Sequence, residues 1–311
     1  LKKFKLETKE PVYHHPVMLT ECLDGLAIRP EGIYVDVTFG GGGHSRAILN
    51  QLTTGRLFAF DQDPDAHEQS KLISHPGFTL IPANFRFIRQ YLRVHGVLQV
   101  DGILADLGIS SHQIDTPERG FSTRFDGALD MRMNPTVGMS ARDLLAEASV
   151  EELHRYLGMY GEIKNAKTTA QALVSARSIR PLNTIADLKA VLQPLAPRGK
   201  EFKFFAQVFQ AIRIVVNEEM AVLEEFLQQV PVVLKPGGRL VVMAYHSLED
   251  RPVKNFIRSG KFYGDVEKDF FGNEIKPLRA ITRKAIEASP EEVARNPRAR
   301  SAKLRIAEPN L

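Results

Sequence analysis

The chain has 311 residues and a mass of 34.8 kDa, long for one domain of ordinary size and suited to one large domain or a domain that carries an insertion. With 43% hydrophobic and 25% charged residues and a mean hydropathy of -0.18, it cannot be fibrous, collagen-like or globally disordered. The single cysteine, Cys22, excludes an internal disulfide framework and a cysteine-based zinc site, and a net charge of +4 does not by itself imply nucleic acid.

The opening LKKFKLETKE lacks the apolar core of an export signal, and no apolar run reaches the ~18 residues of a membrane span. The expectation is therefore a cytoplasmic protein with no membrane partner. The next segment, VMLTECLDGL at 17–26, has an apolar helical pattern that makes Cys22 a packing residue.

From residue 33 onward short apolar runs alternate with polar helical patterns, as in βαβ units that feed a parallel sheet. Strands are predicted at 33–39, 56–61, 78–83 and 100–107. Helices are predicted at 45–52, 64–74 and 87–95, the second opened by Asp63 as N-cap with Pro64 in its first turn.

Residues 108–138 are rich in Gly, Asp and Arg without sustained period. Helices follow at 141–148, 150–156, 163–178, 185–192 and 202–216, with no strand signal among them. A helix at 218–230, the LKPGGR turn at 234–239, a strand at 240–245 and a helix at 248–259 resume the α/β pattern. Strands near 279–283 and 302–307 close the sheet. The economical reading is one Rossmann-like α/β domain, built from 1–109 and 217–311, with a helical insertion at 110–216.

The chemistry-bearing signals lie at predicted strand ends. Gly40, Gly41, Gly42 and Gly43 follow the first strand, where backbone without Cβ can approach a ligand closely. The dinucleotide fingerprint fails, because its third glycine position is Ser45, and no P-loop lysine follows. The second strand ends at Asp61, where a carboxylate can accept ribose hydroxyls. A glycine loop with a ribose acid but no phosphate grip suits S-adenosylmethionine. A nicotinamide dehydrogenase and a small-molecule methyltransferase are rival readings of the same signals.

The motifs TFGGGGHS at 38–45, FDQDP at 60–64, DGILADLGISSHQID at 101–115, ERGFS at 118–122, DGALDMRM at 126–133, FQAIRIVVNEE at 209–219, HSLEDR at 246–251 and NPRARSAKLR at 296–305, with HHPVML at 14–19, resemble those of the ribosomal RNA small subunit methyltransferase H family over nearly the whole chain. The resemblance implies a class I S-adenosylmethionine-dependent methyltransferase fold. It also implies methylation of the N4 amine of a cytidine in the decoding region of 16S rRNA, with that rRNA in the small ribosomal subunit as partner and S-adenosylmethionine as cofactor. It places Gly42, Gly43 and His44 at the methionine end of the cofactor, Asp61 on the ribose, Phe85 beside the adenine, and Asp106 and Gln113 in the block after the fourth strand.

Departures are few: Gly41 and Gln62 each stand where the family usually has Arg, and Lys203-Phe-Phe-Ala-Gln-Val-Phe-Gln210 replaces a segment that carries a His and an Arg. Any RNA contact by those two side chains does not carry over.

An N4 amine is a poor nucleophile, so an acceptor that holds one N–H is required. Asp106, at the end of the fourth strand, is the first candidate, and His246, with Ser247, the second. Phe121 and Phe125 are candidates to stack a flipped base, although packing in a core is the competing role. The buried setting expected for Cys22 disfavours carbon-5 chemistry, which needs a thiolate. Phosphate contacts are expected from Arg298, Arg300, Lys303 and Arg305 in the basic final segment, with ion pairs to carboxylates as the alternative for Arg300 and Arg305. No metal site is expected, and monomer and homodimer are both compatible with the sequence. The non-enzymatic alternative is an RNA-binding ribosome-assembly factor that keeps the cofactor fold as a scaffold.

Overall fold

The computed structural model describes residues 16–310. His14 and His15 of the 14–19 motif, and the first 15 residues and residue 311 of the outer segments, lie outside the described residues.

Helix α1 (Leu19–Leu26) precedes an alternation of β1 (Ile33–Asp36), α2 (Gly43–Leu49), β2 (Arg56–Phe60), α3 (Pro64–Ser70), β3 (Phe78–Ile81), α4 (Ile88–Val94) and β4 (Val100–Asp106). These strands are parallel, with β1 between β2 and β4 and β3 outside β2. Pairing runs past the strand ends: Val37 N–H donates to Leu104 O, Phe39 N–H to Phe60 O and Leu107 N–H to Met243 O. This is why apolar patterning continued to residue 39.

Six helices follow: α5 (Ser111–Asp115), α6 (Ala141–Glu147), α7 (Val150–Gly161), α8 (Ala166–Ile179), α9 (Ile185–Leu192) and α10 (Glu201–Val216). Four of them start in capping boxes, at Ser110, Ser140, Ser149 and Thr184. The apolar faces of α6 to α10 meet in a separate core that includes Leu145, Leu157, Leu173, Leu188, Val208 and Ile212.

The chain returns to the sheet through α11 (Glu219–Val233), β5 (Leu234–Ala244) and α12 (Ser247–Ser259). The predicted turn at 234–239 lies inside β5 as an irregularity. Leu234 pairs with Val100 and Arg239 with Gly102, so the intervening residues bulge out opposite Asp101. Gly237 takes a φ of 73° there, and Lys235 Nζ donates to Asp101 Oδ2 at 2.7 Å. A small hairpin, β6 (Glu267–Lys268) and β7 (Glu274–Ile275), leads to β8 (Leu278–Ala280), β9 (Ile286–Glu287), α13 (Pro290–Arg295) and β10 (Lys303–Pro309).

The completed sheet has the order β3-β2-β1-β4-β5-β10-β8, with β9 paired to β10. Strand β10 is antiparallel to β5, Lys303 opposite Ala244. The Rossmann-like α/β sheet expected from the sequence is therefore present. Both faces are covered: Ile103 and Phe58 pack with Phe226 and Leu227 on one side, while Leu104 and Leu57 pack with Leu26, Ile48 and Met243 on the other. Alternate residues of one buried strand thus serve two cores, which explains continuous apolar runs. Among the described residues no helix is long and apolar enough to cross a membrane.

Candidate active site

The carboxyl ends of β1, β2, β4 and β5 deliver Asp36, Asp61, Asp106 and Tyr245 to one edge of the sheet. Parallel strands make this convergence unavoidable, since each crossover returns the chain to the opposite edge.

The glycine segment leaves β1 and folds back toward β2. Gly40 N–H donates to Asp61 Oδ2 at 2.8 Å, and Asp63 N–H donates to Asp61 Oδ1 at 2.9 Å. Gly42 sits at φ 75°, and a Cβ there would lie 2.8 Å from the Phe39 ring. Glycine is the residue that allows this close return. Burial pushes the Asp61 carboxyl up to about 6, against the two N–H donors that lower it. The side chain stays partly exposed, so it can receive further hydroxyl donors at that edge. Phe85 opens the turn after β3 half-buried, edge-on to Phe226 with ring centroids 5.4 Å apart.

Asp106 is fixed by its neighbours. Its backbone N–H donates to Thr38 Oγ1 at 2.7 Å, and Tyr245 Oη donates to its Oδ1 at 2.8 Å. Its Oδ2 lies 3.8 Å from His44 Nδ1, and about a quarter of the side chain, 24%, is exposed. Burial raises this carboxyl to about 6; His44 and Tyr245 oppose the rise, while Asp36 and Glu249 reinforce it. His44 Nε2 lies 3.1 Å from the Val17 carbonyl, which can only accept, so a hydrogen is assigned to Nε2. Asp36 is enclosed and accepts from Ser45 Oγ at 2.7 Å.

His246 follows β5, and its Nε2 lies 3.0 Å from Glu249 Oε1 and 3.4 Å from Arg213 Nη2. Burial opposes ionisation of Glu249, but His246, Arg213 and the Tyr245 N–H hold its carboxyl below the usual range. Arg213, near the end of α10, makes two hydrogen bonds with Glu219, at 2.8 and 2.9 Å. The helical insertion is thereby fastened beside the β5 end. Glu219, His246 and Glu249 come close enough to hold a cation, but Arg213 already supplies the positive charge.

Several predicted residues have other engagements. Gln113 is buried, its Oε1 accepting the Ser110 N–H and its Nε2 donating to Asp63 Oδ2 at 2.7 Å. Its link to the glycine edge therefore runs through Asp63. Arg305 is held by Asp250 of α12 at 2.6 and 3.0 Å, which satisfies its guanidinium within the protein. Arg298 bonds Asp115 at 3.0 Å and also Ser111. Arg300 and Lys303 are exposed at the head of β10. Phe121 belongs to the insertion core, whereas Phe125 is 40% exposed under the Arg124 guanidinium. Cys22 is buried, with its thiol pushed well up by burial and then by Asp106. Asp126 and Asp130 do not join His246 in any close cluster among the described residues.

Sequence reasoning missed Tyr245 and Arg213, and it also missed a third side chain. Arg119 is buried, and its Nη1 donates to both oxygens of Asp63, at 3.0 and 2.8 Å, and to Asp65 at 2.9 Å. Its Nη2 donates to the carbonyls of Arg132 at 3.1 Å and Met133 at 2.9 Å. The available signal was the Ser110-x-x-Gln113 capping box, which marks an ordered helix start directly upstream.

The chain matches the MraW methylase family over residues 11–310. It is 60% identical over 297 residues to the ribosomal RNA small subunit methyltransferase H of Cytophaga hutchinsonii, covering 96% of this chain and 99% of that one. The protein of the same name from Flavobacterium johnsoniae is 54% identical over 297 residues, with 95% and 97% covered. Among solved structures, an rRNA methylase from Streptococcus thermophilus is 12% identical, with 93% of each chain covered and a TM-score of 0.40. Carrying a full-length family match and relatives at this identity, the chain belongs to the MraW methylase family.

Proposed function

We propose that this protein methylates the exocyclic N4 amine of a cytidine in the decoding region of 16S rRNA, with S-adenosylmethionine as methyl donor. The observation that carries the reading is Asp106: a strand-end carboxylate, partly exposed, with one oxygen held by Tyr245 and the other beside His44.

The cofactor fits the residues present. A carboxylate kept in place by two backbone N–H groups suits vicinal hydroxyls, the glycine segment at Gly42 and Gly43 packs back tightly on Phe39 and Pro16 at this strand end, and Phe85 offers an apolar wall. His44 lies between that loop and Asp106, and Gln113 acts through Asp63. When bound, S-adenosylmethionine supplies a methyl group on a positively charged sulfonium.

The chain's own part is orientation and charge. Tyr245 occupies Asp106 Oδ1, which leaves Oδ2 to accept one N–H of the amine and hold its lone pair in line. Positive charge develops on the nitrogen as the new bond forms, and the carboxylate opposite stabilises it. With its pKa near 6, Asp106 is ionised at neutral pH and still basic enough to take the departing proton. His44 Nδ1 lies 3.8 Å from Oδ2 on the same side of the carboxylate. His246, paired with Glu249, lines the same rim and keeps the insertion seated through its neighbour Arg213.

The helical insertion, 110–216, is the substrate-recognition part in this reading. Phosphates meet Arg300 and Lys303, which lie at the same sheet edge as Tyr245, while Arg298 and Arg305 act through their ion pairs. The test is transfer of labelled methyl to small subunits that lack the modification, with naked 16S rRNA in parallel and nucleoside analysis of the product. N4-methylcytidine on either RNA, lost in Asp106→Ala with cofactor binding retained, is expected. A product methylated at carbon 5, or full activity in Asp106→Ala, would refute the assignment.

A further inference from the structure

We infer that Arg119 is a positioning residue for the cofactor acid Asp61, and that it couples cofactor binding to the seating of the segment that opens the helical insertion. The inference rests on the reading of Asp61 as the ribose acceptor.

The guanidinium joins two pieces of chain. On one side is Asp63, whose backbone N–H donates to Asp61 Oδ1 at 2.9 Å. On the other are the Arg132 and Met133 carbonyls. That second piece is fixed in turn to the end of α10, where Met133 N–H donates to Asn217 Oδ1 and Asn217 Nδ2 donates to Met131 O, both at 2.7 Å. A displacement of Asp61 on loading therefore reaches both ends of the insertion through one buried side chain.

The choice of arginine is specific. Asp63 and Arg119 side chains are 5% and 10% exposed, so the pair has lost most of its hydration. Such a pair adds little net stability, and its value lies in fixing geometry. The planar fork sends Nη1 to carboxylates and Nη2 to carbonyls at the same time, which the single ammonium of lysine cannot reproduce. The Asp63 carboxylate also accepts from Gln113 and caps α3 through Asp65 N–H. Its oxygens are thus held from the α5 side and the α3 side, with Arg119 as the cationic member.

The experiment uses the full chain and compares Arg119→Lys, Asp63→Asn and Asp61→Ala with the unaltered protein. Cofactor affinity is read by calorimetry, KM and kcat by methyl transfer, and amide hydrogen exchange is followed over 117–138 with and without S-adenosylmethionine. Arg119→Lys keeps the charge and loses the fork; loss of its paired hydrogen bonds should raise the cofactor Kd and KM on the order of tenfold, with a much smaller fall in kcat at saturating cofactor. Binding of S-adenosylmethionine should slow exchange over 117–138 in the unaltered protein and not in the variant. A purely structural role would lower the melting temperature and leave the Kd and the exchange response as they were, which would overturn the inference. Asp63→Asn serves if Arg119→Lys does not fold, and the same two readouts decide. Should Asp61→Ala bind the cofactor normally, the ribose reading falls and this inference with it. Should Asp61→Ala fail while Arg119→Lys and Asp63→Asn bind normally, the inference alone falls.

Discussion

Replacing Asp106 by Asn should stabilise the protein at neutral pH while it abolishes methyl transfer. Burial lifts this carboxyl from 3.8 to about 6, so the native state binds its proton more tightly than the unfolded chain. Native proteins then hold more protons between these two values, and the stability contributed by the protonated form is complete below about pH 4 and lost as pH rises through about 6. A shift of about two units corresponds to roughly 3 kcal/mol of penalty for the ionised group at pH 7.5. With a quarter of the side chain exposed, solvent screening leaves ~1–2 kcal/mol. Asn keeps the acceptor for Tyr245 and removes the charge that Asp36 and Glu249 oppose. The variant should therefore melt ~2–5 °C higher at pH 7.5 and at nearly the same temperature as the parent at pH 4. Part of the acid-to-neutral slope should remain, because Asp61 titrates near the same pH. Calorimetric scans at the two pH values, with methyl-transfer rates at pH 7.5, make the test; the rate should fall roughly 10²- to 10³-fold. A variant destabilised by the same amount at both pH values would show that the hydrogen-bond network, not the buried charge, governs this position.

The two halves of the basic final segment should behave differently. Arg305→Ala strands Asp250 in a partly buried setting and should cost ~2–4 kcal/mol of stability, read by urea unfolding, whereas Arg300→Ala with Lys303→Ala should leave stability unchanged and lower the salt dependence of rRNA binding by roughly 1.5–2 units of slope in log–log form. Equal stability losses for both would contradict the ion-pair assignment. Gly42→Ala places a Cβ 2.8 Å from the Phe39 ring at a φ of 75°; a stability loss of ~1–3 kcal/mol and weakened cofactor binding are expected, and wild-type affinity by calorimetry would exclude a role for this close return. Cys22 should resist a thiol reagent at pH 8 until the protein unfolds, since its thiol is buried and raised well above its ordinary value; rapid stoichiometric labelling of the native protein would contradict its place in the core.

Much of the sheet is legible in the chain because β1 to β4 are short, apolar and separated by glycine- or proline-marked helices. The strand ends named in advance, Asp61 and Asp106, follow from the same patterning. What periodicity cannot reveal is pairing between distant side chains. Tyr245 meets Asp106 across 139 positions, and Arg305 meets Asp250 across 55, so a basic run read as a phosphate surface contains a structural ion pair. Helix α5 has five residues, too few for a helical period to register. The bulge in β5 looks like a turn because Lys-Pro-Gly-Gly carries turn chemistry; the strand continues because Arg239 resumes pairing with Gly102.

The helical insertion leaves the sheet after β4 and returns at α11, so two covalent crossings join it to the rest of the molecule. A module on one crossing swivels about a point; a module on two is confined to rotation about the line between them. Arg213 with Glu219 lies beside one crossing, and Asn217, bound to Met131 and Met133, joins the returning chain to the outgoing segment. Relative motion is therefore that of a door on its hinge rather than a weight on a string. Any movement of the insertion against the sheet is thereby limited to a change of angle about one axis.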